Sequence, residues 1–133
     1  MASALLDPWN DASEIGRKLE AGSRLAIVIG AEAWCTSCQI LKPVFETLAS
    51  DEASDGDIFL WLDLEEHAEF LDEFVPPSLP LLMVYDQGKL THGLIVTDFT
   101  FVGLADLLTQ RPRIDYEELP DLDRRLRTVD WAF

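Results

Sequence analysis

The chain is short of covalent cross-links and of positive charge. Only two of its 133 residues are cysteine, Cys35 and Cys38. The disulfide framework of a small secreted scaffold needs more, so a core must come from packing. Only two histidines, His67 and His92, join the cysteines as candidate zinc donors, and the spacing fits no common finger, so no metal site is expected. Haem attachment would need a histidine after Cys38, where Gln39 stands. Lys and Arg number 10 against 25 Asp and Glu, a net charge of −15. No basic residue lies between Lys42 and Lys89, a stretch holding twelve acids. Such a field repels nucleic acid and anionic membrane surfaces, and it favours a basic protein partner; solubility alone is the plainer reading. No apolar run approaches a membrane span. The first twelve residues carry two Asp and no Lys or Arg, so no secretory signal is read and the reducing cytoplasm is the expected location.

What is present suits one α/β domain. Apolar residues make up 48% of the chain, enough for a core. Residues 11–19 read as a helix, with Asp11 as cap, Ile15 and Leu19 inward, and Gly22 beyond the end. Residues 24–30 hold an unbroken apolar run, the pattern of a strand buried on both faces. A loop over 31–34 leads to Cys35. A helix over 38–49 follows, with Leu41, Phe45 and Leu48 on one face and Pro43 inside it. Residues 58–64 form a second buried strand. Residues 66–75 form a short helix with Phe70, Leu71 and Phe74 inward. Residues 79–85 form a third strand, and the turn at Asp86-Gln87-Gly88 joins it to a fourth over 89–96. Phe101, Leu104, Leu107 and Leu108 mark a further helix. Early parallel strands with crossovers, then an antiparallel hairpin, make a mixed sheet flanked by helices.

The cysteines carry the chemistry. Both fall where a buried strand hands over to a helix. A helix N-terminus offers unpaired backbone donors and a positive dipole end, which stabilise a thiolate. Cys35, at the start, is expected to be the exposed nucleophile. Cys38, one turn inside, is expected to resolve the mixed disulfide by attacking Cys35. A less favoured alternative is two buried, inert thiols packed as small apolar side chains. Trp34 beside Cys35 is expected to shield the sulfur and offer substrates an apolar contact. His67 and His92 are expected at the surface or in the hairpin, outside catalysis.

With these motifs in order, residues 10–110 resemble the thioredoxin family. Trp34-Cys35-Thr36-Ser37-Cys38 matches its Trp-Cys-x-x-Cys motif. Pro43 falls where the family's active-site helix is kinked. Ser78-Leu79-Pro80, ahead of the third strand, matches the loop whose cis-proline faces the cysteines, and Gly88 matches the hairpin glycine. The resemblance implies a thioredoxin fold and a thiol–disulfide oxidoreductase acting on protein disulfides through Cys35 and Cys38. It implies no cofactor beyond that redox-active disulfide. Leu79 and Pro80 would bind an extended substrate, and a separate reductase or thiol donor would reset the pair. The departures point elsewhere. Thr36-Ser37 replaces the usual Gly-Pro between the cysteines, which implies a less reducing site. The family's buried aspartate, six positions before the nucleophile, corresponds to Ile29, and its partner lysine to Trp61. Ala31 stands where a second tryptophan is common. No glycine occurs between Leu94 and Phe101. Without the acid, resolution by Cys38 would be slow near neutral pH. That keeps open a binding or chaperone-like protein with weak or no redox turnover.

The division expected is a domain over 1–110 and an extension over 111–133. In the extension, Leu119, Leu122, Leu126 and Val129 form one helical stripe. Pro120 suits its first turn, with Asp121 and Asp123 near the positive end and Arg124, Arg125 and Arg127 toward the other. The arginines would face carboxylates among residues 63–73. The apolar end at Trp131, Ala132 and Phe133 also calls for cover. The stripe is expected to dock on its own chain, on a second copy as a homodimer, or on a partner.

Overall fold

Strand β1, Leu25–Gly30, is buried along its whole length, and the sheet is built outward from it. The structure is a computed structural model; it describes residue 5 and residues 11–50, 57–67, 71, 74, 76, 78–116 and 119–127. On one side of β1 lies β2, Ile58–Asp63, parallel, with Leu25 opposite Ile58 and Gly30 opposite Asp63. On the other lies β3, Leu81–Asp86, antiparallel, with Ile29 opposite Leu81. A hairpin brings β4, Lys89–Ile95, antiparallel to β3. Gln87 (φ 53°) and Gly88 (φ 83°) both take positive φ, which the two-residue turn requires and which glycine adopts without strain. A two-residue strand β5, Arg113–Ile114, completes the order β2-β1-β3-β4-β5 by running parallel to β4. The sequence carries no sign of β5, since two residues have no periodicity to read.

Alternation along β1 creates two cores. Leu25, Ile27 and Ile29 pack with Ile15 and Leu19 of helix α1, Ala12–Glu20. Ala26 and Val28 face the other way, onto Cys38, Leu41, Phe45 and Leu48 of helix α2, Thr36–Ala49, and Leu104 and Leu108 of helix α3, Phe101–Thr109. This period of two decides which residues of β1 can reach the cysteines.

Most expected elements appear within two residues of their expected ends. Asp11 stands at the N-cap of α1, but its side chain makes no capping hydrogen bond. Helix α2 starts at Thr36, two residues before the expected start, because Cys35 is its cap. Of the helix expected over 66–75, Leu71 is helical and buried; Phe70 and most of the segment lie outside the described residues. His92 lies in the hairpin, one of its two expected places, and not at the surface. It is buried on β4, and burial, then the nearby charge of Arg24, pushes its pKa down against the pull of the Leu107 and Gln110 carbonyls.

The extension closes the α1 side. Tyr85 Oη donates to the Pro120 carbonyl (2.9 Å) and accepts the Leu122 N–H (3.1 Å). Leu119 lies on β4 over Gly93, where any Cβ would meet its Cδ1. Asp121, through Oδ1, accepts the Arg124 N–H (3.0 Å) and caps helix α4, Leu122–Arg127, so Pro120 precedes the helix instead of entering its first turn. Leu122 and Leu126 are buried in the core shared with Ile15 and Leu19. The stripe thus docks on its own chain. Val129, residues 131–133 and the side chains of Arg125 and Arg127 lie outside the described residues.

Burying two leucines in this way stabilises the fold by about 3–6 kcal/mol. Truncation after Gln110 is therefore expected to lower the melting midpoint by about 10 °C or more. Leu126→Ala alone is expected to cost about 2–4 kcal/mol in chemical denaturation. An unchanged midpoint in both would show that α4 carries no share of the core.

Candidate active site

Strand β1 ends at Gly30 and the chain turns through residues 31–34 to Cys35. The turn is tied by the Cys35 N–H donating to the Ala31 carbonyl (2.8 Å). Cys35 then sits at the N-cap of α2 with an extended backbone, and its sulfur accepts the Cys38 N–H at 3.2 Å. A sulfur there meets both an unpaired amide and the positive end of the helix, so negative charge is stabilised on Cys35. Cys35 and Cys38 are joined as a disulfide, with Cα atoms 5.2 Å apart. Cys35 is half-buried and Cys38 is fully buried.

The other residues singled out from sequence fall as follows. Trp34 is 62% exposed beside Cys35. Thr36 is exposed and Ser37 half-buried in the first turn of α2, and Pro43 lies inside that helix on its exposed face. The Leu79–Pro80 peptide bond is cis. Pro80 is buried at the head of β3, at the end of the sheet where Leu81 pairs with Ile29. Its carbonyl accepts the Val96 N–H (3.0 Å), so residues 96–101 emerge beside it. Leu79 and Cys35 pack against the same core as Cys38. One end of the sheet therefore gathers Trp34, the disulfide, Leu79, Pro80 and the start of α3.

The position opposite Cys38 is not Ile29. Ile29 points into the α1 core, on the far side of the sheet. Gly30, the next residue, faces Cys38: a Cβ built on it would stand 3.1 Å from Cys38 Sγ and 2.6 Å from Cζ2 of Trp61. Trp61 pairs with Val28 and shares its face, so its indole fills the space a side chain at Gly30 would occupy. Trp61 is buried, and its Nε1 has no hydrogen-bond partner among the described residues. The buried carboxylic acid next to this core is Asp63, which pairs with Gly30 at the end of β2. Gly30 could have been suspected from sequence, since a glycine ending a buried strand often marks a close approach.

Two charged groups border the pair. Asp63, the last residue of β2, accepts the Glu32 N–H at one oxygen (3.0 Å) and the Glu65 (2.9 Å) and Glu66 (3.4 Å) N–H groups at the other. Burial would raise its pKa; those three amides, with a smaller electrostatic contribution from His67, hold it below the usual aspartate range. His67 is buried against it, its Nδ1 accepting the Asp63 N–H (2.9 Å), and so is not at the surface. The Asp63 carboxylate thus anchors the turn that delivers Cys35. The other group is the ion pair of Lys42 with Glu32 (2.7 Å), whose ammonium lies 5.7 Å from the Trp61 ring centroid. Sequence reasoning passed over Asp63 and Lys42; the only trace of Asp63 is an acid closing an apolar run. Among the described residues, no group of three His, Cys, Asp or Glu could hold a metal ion, and no helix is long and apolar enough to cross a membrane.

The chain is similar to known proteins. The family model described as thioredoxin matches residues 12–102. A thioredoxin of Aspergillus fumigatus, Asp f 29, is 27% identical over 85 residues, 64% of this chain and 77% of its own length. The thioredoxin of Staphylococcus epidermidis is 34% identical over 77 residues, 58% of this chain and 71% of its own. Among solved structures, that of Trxlp from Edwardsiella tarda superposes with a TM-score of 0.61 at 17% identity, covering 74% of this chain and 93% of its own.

Asp63 generates a prediction about acid stability. Its lowered pKa stabilises the fold above the ordinary aspartate range, and that share is lost as pH falls through the lowered value. Asp63→Asn is expected to cost about 1–3 kcal/mol at neutral pH and to flatten the loss of stability below about pH 4. Denaturation curves across pH measure both effects; an unchanged acid profile would mean that the carboxylate anchors nothing.

Proposed function

The chain belongs to the thioredoxin family, and from that premise we propose how its thiol–disulfide oxidoreductase chemistry is divided among its residues. Cys35, as thiolate, attacks one sulfur of a protein disulfide. The other substrate sulfur leaves as a thiolate and takes a proton from solvent. Cys38 then gives up its proton and attacks Cys35, which releases the second substrate thiol and leaves the Cys35–Cys38 disulfide. A separate reductase or thiol donor returns the pair to dithiol. The observation that carries this division is the sulfur cap: Cys35 accepts the Cys38 amide at the start of α2, while Cys38 is closed off from solvent.

Trp34 is read as the apolar contact for substrate, and Leu79-Pro80 as the edge along which an extended segment lies. Thr36 and Ser37 set the first turn of α2 and hence the potential. Pro43 is structural. The acidic body favours basic protein substrates, and a chain whose only cysteines form the redox pair suits a reducing compartment such as the cytoplasm. Residues 111–133 lie beyond the matched span, and we read them as an extension that closes the α1 core. With Leu122 and Leu126 used there, a homodimer through the stripe has lost its main contact surface.

A second reading is favoured by one observation. The space directly against Cys38 Sγ holds Gly30 and the edge of the Trp61 indole, while Asp63, the buried acid opposite Gly30, has both oxygens bound to backbone amides. Resolution would then be slow, and the protein would hold clients more than turn them over. Insulin reduction with dithiothreitol separates the two. The oxidoreductase reading expects clear acceleration by the unmodified protein and none by Cys35→Ser. It expects Cys38→Ser to stall as a trapped mixed disulfide. No acceleration by the unmodified protein, with client binding retained in Cys35→Ser, would establish the binding reading instead.

A further inference from the structure

The resolving thiol needs to lose a proton in surroundings that oppose it. Cys38 is fully buried, and burial in apolar packing raises a thiol's pKa. What faces it sets the size of that penalty. From β1 come Val28 and Gly30, from β2 Phe59 and Trp61, and from α3 Leu104, all uncharged. Asp63, at the end of β2, has both oxygens occupied by three amides, and His67 is tied to the Asp63 N–H. Among the described residues, the charged groups bordering these walls are therefore Asp63, kept ionised by those amides, and the Lys42–Glu32 pair.

Lys42 lies four residues after Cys38, on the same face of α2, where side chains one turn apart are neighbours. Its ammonium stands 5.7 Å from the centroid of the Trp61 ring, and the Cζ2–Cη2 edge of that ring abuts the space beside Cys38 Sγ. Glu32, one oxygen 2.7 Å from the ammonium, holds it there and offsets part of its charge. Glu32 is itself fixed: its N–H is bound by Asp63, and its carbonyl accepts from Gln39 Nε2 (2.6 Å). The Trp61 ring and Cys38 are both buried, so a charge held against that ring is screened less than one at an open surface.

We propose that the Lys42–Glu32 ion pair, held against the Trp61 ring, sets how readily Cys38 ionises and so the rate at which a mixed disulfide is resolved. Lys42 is a positioning residue in this scheme, favouring the thiolate through the ring, and Glu32 is its attenuator. The inference rests on Cys38 being the resolving thiol.

The test is a stopped-flow reaction of the reduced full-length protein with dithiobis(nitrobenzoate). In the first phase Cys35 attacks the reagent and one nitrothiolate leaves. In the second, Cys38, its proton gone to solvent, attacks Cys35, and a second nitrothiolate leaves as the Cys35–Cys38 disulfide forms. The second phase is intramolecular, so steering of the anionic reagent does not affect it. Lys42→Met is expected to slow the second phase at neutral pH by about threefold to tenfold and to move its pH profile upward. Glu32→Gln, which keeps an acceptor for the ammonium but removes the negative charge, is expected to move the profile downward, and Lys42→Arg to restore it. A loss of packing alone would not give shifts of opposite sign. A profile unmoved by Lys42→Met, or moved in the same direction by both changes, overturns the proposal. A reduced protein that releases only one nitrothiolate would instead overturn the resolving role of Cys38. The ultraviolet absorbance of the Cys38 thiolate, titrated in Cys35→Ser with and without Lys42→Met, then decides the ion pair's effect independently.

Discussion

The chemistry of this protein depends on one hydrogen bond, from the Cys38 amide to the sulfur of Cys35. It makes a redox sulfur the cap of a helix. The cap position gives Cys35 an amide and a dipole, and it places Cys38 one turn inward, in the core. The sheet exists, from the site's standpoint, to hold that junction. β1 delivers the chain to it, Asp63 at the end of β2 pins the turn through Glu32, and the head of β3 brings Leu79-Pro80 alongside. Each is a backbone constraint on a neighbour of Cys35 and leaves the sulfur itself unencumbered.

The space behind Cys38 is where this chain departs from its family. Strand alternation assigns that space to Gly30, and the missing side chain lets the Trp61 indole close over it. An ionisable group on β1 is thereby replaced with an aromatic wall from β2. Charge borders this space at Asp63, opposite Gly30, and at Lys42 on α2, which pairs with Glu32 of the preceding loop. The two sulfurs thus stand in unlike surroundings, Cys35 half-buried at the helix cap and Cys38 fully buried in the core. That asymmetry suits fast capture followed by a slower release.

Much of this was legible in the residues because it rests on local pattern. Leu25-Ala26-Ile27-Val28-Ile29 is too uniformly apolar to be anything but a doubly buried strand, and Asp86-Gln87-Gly88 can only be a turn between the strands it joins. Trp34-Cys35-Thr36-Ser37-Cys38 with Pro43 and Pro80 marked the candidate site. What could not be read is what depends on side-chain direction. Counting six residues back from Cys35 selected Ile29, but the count assumes a loop of standard length; the pleat sends Ile29 to α1 and Gly30 to Cys38. The stripe at Leu119, Leu122 and Leu126 announced a docked helix without an address, because apolar spacing carries no record of the partner. Its address lies in Gly93, Tyr85, Ile15 and Leu19, far away in the chain. His92 and His67 looked peripheral because burial of a lone polar residue leaves no trace in local periodicity.

The central claim is that the two thiols are made unequal by their places at the start of α2. Competitive alkylation of the reduced protein with iodoacetamide at neutral pH, read by mass spectrometry of the peptide carrying both cysteines, measures this directly. The account predicts that Cys35 is modified faster than Cys38 by about tenfold or more, since it alone combines the cap position with access to solvent. Equal rates, or faster modification of Cys38, would contradict it.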